Sequence, residues 1–230
     1  MQTPIHSSAA AVDTKLYTTR LNTQAITANN IVFGYSTIPG NLPNAYGNFV
    51  SVWQNVETIP FTIQPIIKQE VTSNTEQGSV VLNFPVLNTS YLAAYSVGPT
   101  LEKGQPFGNV CSTVYIPPAG SGSSILFSPS LRLDDVTGNA VAFNYSMPAG
   151  ITPMDNGAWC GIWPSAIPSY HNPPEKIIPV NSNSSQDSLV FEGYPIRIGY
   201  TYTIAYFMSG YNNGSISSQT AMACSITFSA

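Results

Sequence analysis

Slid along itself by 110 positions, the chain falls into register with its own second half. Residues 16–53 lie over residues 126–163 without a gap. Eleven of the 38 pairs are identical: Leu16/Leu126, Leu21/Leu131, Thr27/Thr137, Asn29/Asn139, Phe33/Phe143, Tyr35/Tyr145, Ser36/Ser146, Gly40/Gly150, Pro43/Pro153, Gly47/Gly157 and Trp53/Trp163. The echo resumes, with slips of one to three residues, at Pro85/Pro195, at Tyr91–Tyr95 against Tyr202–Tyr206, and at Cys111-Ser112 against Cys224-Ser225. Solenoid units run roughly 20–50 residues, so this period is too long for one. It matches one small domain, and 230 residues suffice for two that each bury a core. The expected organisation is an arm over residues 1–13, a first copy over 14–117, a Gly/Ser linker over 118–123 and a second copy over 124–230.

Within each copy the local signals are those of strands. Asn30–Ser36 and its twin Ala140–Ser146 are β-branched and aromatic, and Tyr200–Phe207 prefers a pleated surface at every position but Ala205. Ser79–Phe84, Ser188–Phe191, Asn109–Ile116 and Ala223–Phe228 continue the pattern. Turn-formers separate them, among them Pro39-Gly40-Asn41, Asn44–Gly47, Asn172-Pro173-Pro174 and Tyr211–Gly214. Nineteen prolines spread through the chain leave little room for helices. About seven short strands per copy, with turns every 8–12 residues, predict an all-β fold: two tandem immunoglobulin-like β-sandwich domains related by an internal duplication. A single barrel or jelly roll is the alternative, and it leaves the tandem period unexplained.

One stretch of the second copy carries a family resemblance. Val141–Pro148 is an aromatic strand ending in a Pro-containing turn. Trp159-Cys160-Gly161-Ile162-Trp163 follows, and then Gly199-Tyr200-Thr201-Tyr202-Thr203-Ile204-Ala205-Tyr206. This order resembles SKICH-type and related immunoglobulin-like sandwiches. The first copy departs from it, since Phe49–Trp53 lacks the Gly and Thr89-Ser90-Tyr91 lacks the preceding Gly. The resemblance implies a fold and selects no function. Trp53 and Trp163, equivalent in the repeat, are expected to pack between the sheets. Trp159 is the candidate for an exposed aromatic.

Charge narrows the functional classes. Charged residues make up 8% of the chain, against roughly 25% in an ordinary soluble domain, and the net charge is −4. The basic residues are scattered, which argues against nucleic acid and against a polybasic membrane attachment. No apolar run is long enough to span a bilayer. The first residues carry neither a basic patch nor an apolar stretch, so no signal peptide is visible. The compartment stays open between intracellular and a leaderless or processed secretory route. Three cysteines, Cys111, Cys160 and Cys224, read as reduced, half-buried thiols, with a Cys160–Cys224 bridge as the alternative.

A search for chemistry returns little. The two histidines are His6 in the arm and His171 in a loop, and no Gly-x-Ser-x-Gly elbow supplies a nucleophile. No His-x-x-x-His, Cys-x-x-Cys or Asp-x-Asp-x-Asp-Gly pattern marks a metal site. Asp134-Asp135 reads as a solvated loop, and Gly120-Ser121-Gly122 lacks the Lys and helix of a phosphate loop. No catalytic residue, metal or cofactor is therefore expected. What remains is a set of aromatic, amide-rich loops that can stack on sugar rings: Tyr46, Trp159, Tyr170, His171 and Tyr211 are the candidate ligand-binding residues. The arm is either a loose tail or a strand that adds to a neighbour's sheet.

The first expectation for function is a non-enzymatic structural protein that assembles with copies of itself into a fibre, shell or crystalline inclusion. The alternative is a lectin-like or toxin-like protein that binds carbohydrate or a cell-surface receptor. An enzyme is the least supported class.

Overall fold

The computed structural model describes residues 14–230. The arm over residues 1–13, and with it His6, lies outside them. The fold is all-β and immunoglobulin-like. Among the described residues no helix is long and apolar enough to cross a membrane.

β1 (Thr14–Thr18) opens the described chain and is placed below. β2 (Arg20–Ile26), β3 (Asn30–Ser36) and β6 (Gln77–Asn83) form a three-stranded antiparallel sheet in the order β2-β3-β6. It faces a five-stranded sheet made of β4 (Phe49–Gln54), β5 (Ile67–Glu70), β7 (Tyr91–Ser96), β8 (Val110–Ile116) and β9 (Ile125–Phe127), in the order β5-β4-β7-β8-β9. Residues further on repeat this plan. β10 (Ser130–Val136), β11 (Ala140–Ser146) and β14 (Gln186–Glu192) make the small sheet. β12 (Trp159–Trp163), β13 (Lys176–Pro179), β15 (Thr201–Phe207) and β18 (Met222–Ser229) make the large one, with a short hairpin, β16 (Tyr211–Asn212) and β17 (Ser215–Ile216), beside it.

The edges are where the two sets interlock. β1 does not join β8. It pairs antiparallel with β18, Leu16 opposite Ile226, and completes the order β1-β18-β15-β12-β13. β9, which lies over β1 in the 110-residue register, pairs instead with β8, Leu126 opposite Val114. Each first strand is thus given to the other set. The chain crosses over within one buried residue at Thr19, whose amide donates to the Ala223 carbonyl at 3.1 Å. The second crossing runs through Ser128 and Pro129, and the two meet: the Thr18 hydroxyl donates to the Pro129 carbonyl.

Small irregularities recur at matching places. β2 bulges between Thr23 and Ala25, β10 between Leu133 and Asp135. Asp134 and Asp135 therefore sit within a strand, where the sequence suggested a loop. A bulge leaves one residue unpaired, and that is how two adjacent acids fit a strand. Arg132 stands 3.9 Å from Asp134 in an exposed ion pair. At the entry to β7 the Tyr91 hydroxyl accepts the Leu87 amide at 2.8 Å, and before β15 the Tyr202 hydroxyl accepts the Arg197 amide at 2.9 Å. These are the tyrosine corners of immunoglobulin-like sandwiches.

Between the sheets, Tyr35 of β3 meets Tyr95 of β7 at 5.4 Å, and Tyr145 of β11 meets Tyr206 of β15 at 5.2 Å. Val50 lies opposite Tyr95 and Cys160 opposite Tyr206, so these residues mark the inner faces. Trp53 lies opposite Leu92, and Trp163 opposite Thr203, on the outer faces. The expectation that Trp53 and Trp163 pack between the sheets is corrected on this point. A strand alternates sides with a period of two, so Trp163 falls on the face away from Ile162 and Cys160.

The outer faces are nevertheless buried, under loops of their own half, where Trp53 Nε1 donates to the Ile63 carbonyl and Trp163 Nε1 to the Asn172 carbonyl, and under turns where the two halves meet. Gln105 bridges them: its amide donates to the Asn156 side-chain oxygen at 2.8 Å, its side-chain nitrogen to the Gly150 carbonyl at 2.9 Å, and its side-chain oxygen accepts the Thr152 amide at 2.9 Å. The Ser209 hydroxyl donates to the Asn109 side-chain oxygen at 2.7 Å. The turn at Gly40 packs on Tyr170 and its twin at Gly150 on Phe61.

All three cysteines are buried and free. Cys160 is opposite Tyr206, which is opposite Cys224, so the two sulfurs stand two strands apart, about 10 Å and beyond the reach of a disulfide. Burial pushes the thiols of Cys111, Cys160 and Cys224 up from the ordinary value, and the phenols of Tyr95 and Tyr206 likewise.

Two predictions follow from the core. Tyr202→Phe strands the partly buried Arg197 amide and should cost about 1–3 kcal/mol in a urea titration; an unchanged midpoint would contradict the corner's role. The raised thiols and phenols are neutral in the fold and ionise more easily in the unfolded chain. Their stabilisation is complete below the unfolded values, near 9 for Cys and 10 for Tyr, and is lost as the pH rises through them towards the folded values. The urea midpoint should be flat up to about pH 8 and fall above about pH 9. A flat midpoint into strong alkali would contradict it.

Candidate functional site

The five candidate residues converge on one region, the outer face of the large sheet of the second half. Tyr46 comes from the turn after β3, a tight loop in which the Tyr46 amide donates to the Leu42 carbonyl at 2.9 Å. Tyr170 and His171 come from the loop between β12 and β13. The two tyrosine rings stack at 5.4 Å and 25° across the seam between the halves. The Tyr46 hydroxyl stands 3.5 Å from Nε2 of His171. His171 is exposed and Tyr46 half-buried, while Tyr170 is buried.

Trp159, read in the sequence as an exposed aromatic, is instead fully buried. It lies flat on Phe207 at 3.9 Å and 3°, and its Nε1 donates to the Ser209 carbonyl at 3.1 Å. Trp159 and Trp163 are four apart and share a face, and Ile38 from the first half is inserted against them. Tyr211 packs half-buried on the margin of this cluster, its amide donating to the Gly157 carbonyl at 2.9 Å. Two glycines permit that approach. A Cβ on Gly157 (φ +71°) would stand 2.5 Å from the Tyr211 carbonyl oxygen, and one on Gly210 (φ +112°) 2.2 Å from that of Ser218.

Beneath Tyr170 a buried polar group continues the site inward. The Asn41 side chain donates to the Asn48 side-chain oxygen at 2.9 Å, and the Tyr95 hydroxyl donates to the same oxygen at 3.1 Å. The Tyr170 hydroxyl is buried without a partner. Burial, with Tyr46 nearby, raises the Tyr170 phenol well above its ordinary value. Both phenols stay protonated, and the Tyr95 hydroxyl is the one that donates. Among the described residues, no three His, Cys, Asp or Glu side chains gather into a metal-binding group.

Tyr211 also borders a cleft of about 570 Å³ where loops of the two halves meet. Lys103 and Glu102 line it from one side, and Asp155, Asn181 and Asn212 from the other. Met154, Ala158 and Leu101 line it as well, so its surface is mixed polar and apolar. Sequence reading missed this cleft, and it missed Ile38 and Phe207 as members of the cluster. Phe207 ends one of the purest strand signals in the sequence, so its place on a strand beside Trp159 had a signal. Ile38 had none, for its twin is Pro148.

No family model matches the chain, and no curated protein matches it. Among solved structures it is similar to the human OSCAR ligand-binding domain, at 13% identity and a TM-score of 0.23, over 83% of this chain and 90% of that one. At that distance the immunoglobulin-like description rests on the sheets and tyrosine corners themselves.

Proposed function

We propose that the chain is a non-enzymatic structural protein that assembles with copies of itself. One observation carries this reading: large aliphatic side chains stand in solvent where charges normally stand. Ile198 is 95% exposed, Ile125 66%, Leu87 62% and Ile63 61%. The whole chain offers 7 basic and 11 acidic side chains to offset them. A monomer with such a surface resists association weakly, and an assembly covers it. Descent of the two halves from one duplicated sandwich, and kinship with SKICH-type sandwiches, belong to the same reading; the matching strand orders and corners support the first. Light scattering on a sizing column should give particles of many subunits that grow with concentration. A monomer at every concentration would contradict it.

A second reading is a carbohydrate- or receptor-binding protein. The cleft bordered by Tyr211 favours it, since an aromatic face beside amides and carboxylates suits a neutral sugar. It predicts saturable glycan binding that Tyr211→Ala abolishes. Glycan binding unaffected by that change would count against this site.

A further inference from the structure

The two halves differ at one matching place, and the difference leaves a hole. On the second half, Thr203 and Thr227 lie opposite each other on the outer face. Their hydroxyls donate to the carbonyls of Ser165 and Ala166 at 2.7 and 3.1 Å, and so hold the loop after β12 down on the sheet. On the first half the matching pair is Leu92 and Tyr115, also opposite each other. The loop after β4 turns aside: the Asn55 amide donates to the Ser90 carbonyl at 3.0 Å, and the Asn55 side chain accepts the Thr89 hydroxyl. A recess of about 410 Å³ stays open there. Ile59, Leu92, Tyr115, Phe127 and Pro148 line it, Ile125 stands exposed at its mouth, and Glu57 is its one charged residue.

The chain also carries a knob. Ile198, the most exposed aliphatic among the described residues, sits in the corner before β15. The corner is firmly held. The Arg197 amide donates to the Tyr202 hydroxyl at 2.9 Å, the Tyr200 amide to the Arg197 carbonyl at 3.3 Å, and the Gly199 amide to the Ala230 carbonyl at 2.6 Å. The Arg197 guanidinium lies 5.9 Å from the Tyr200 ring centre. Among the described residues neither Arg197 nor Glu57 forms an ion pair.

We infer that Ile198 of one copy enters the recess of a second copy, with Arg197 against Glu57. The inference rests on the self-assembly reading and names its contact. The chemistry is complementary: an apolar side chain with a guanidinium beside it meets an apolar hole with a carboxylate on its rim. A corner held rigid in advance loses little freedom on docking. The knob stands on the corner before β15 and the recess on the outer face over β7, β8 and β9, so each copy offers both partners of a head-to-tail contact. Such a contact repeats into a filament unless the rotation closes a ring.

Sedimentation velocity on the full chain tests this. Ile198→Asp puts an unpaired charge into the hole, and should raise the concentration for half-assembly by at least about tenfold. Glu57→Arg and Arg197→Glu should each weaken assembly, and the two together should restore it. Ile198→Asp lacks the knob and Ile125→Arg blocks the hole. Each alone should be monomeric, and their mixture should stop at a one-to-one dimer. Wild-type protein that assembles while all these variants assemble equally well would overturn the inference and leave self-assembly standing. Wild-type protein that is monomeric throughout would overturn both. Nile red that brightens equally with the Ile198→Asp protein alone and in that mixture would also overturn it, since the recess would then hold a small apolar molecule with the knob excluded.

Discussion

The architecture hangs on the point where the chain crosses itself. At Thr19 it leaves the large sheet of one half for the small sheet of the other, and at Pro129 it makes the reverse passage. The Thr18 hydroxyl on the Pro129 carbonyl joins the two crossings. Because β1 and β9 are exchanged, neither half has a full five-stranded sheet without the other. The exchange is intramolecular, so the short linker supplies a high effective concentration and the pairing needs no second chain.

This interlock explains why the outer faces are aromatic. In a lone immunoglobulin-like sandwich, the outer face of the large sheet meets water and carries polar groups. Here it carries Trp53 and Phe49, with Phe107 of the loop before β8 packed on them, in one half and Trp159, Trp163 and Phe207 in the other. Each turn, at Gly40 and at Gly150, lies against an aromatic ring of the opposite half. The molecule thus has inner cores between sheets and a further one along the seam. Sites that form at the seam, the Tyr46–Tyr170 stack and the cleft beside Tyr211, exist because both halves contribute. The recess beside Leu92 exists because the halves contribute unequally.

Much of the fold is legible in the sequence. The strands Asn30–Ser36, Ala140–Ser146 and Thr201–Phe207 are announced by β-branched and aromatic runs, and the repeat announces that a second set will match the first. The exchange of β1 and β9 is not legible. Leu16 and Leu126 look the same whichever sheet accepts them, since local pattern specifies a strand and not its partner. The faces of the tryptophans are hidden in the sequence for a related reason. A fully apolar strand such as Trp159–Trp163 is buried on both sides, and alternation then gives no clue to which side is inner. The site was legible only as loop chemistry. Tyr46, Tyr170 and Tyr211 stand out in the sequence as loop aromatics, but their degree of burial depends on how the halves dock, and nothing local encodes that.

The exchange itself is the claim most open to direct test. Hydrogen exchange followed by mass spectrometry can compare the full chain with a version beginning at Thr19, which lacks β1. The account predicts that amides of Met222–Ser229 lose protection while those of Val110–Ile116 keep theirs. Loss confined to Val110–Ile116, with Met222–Ser229 unchanged, would mean that β1 pairs within its own half, and would contradict the interlocked fold.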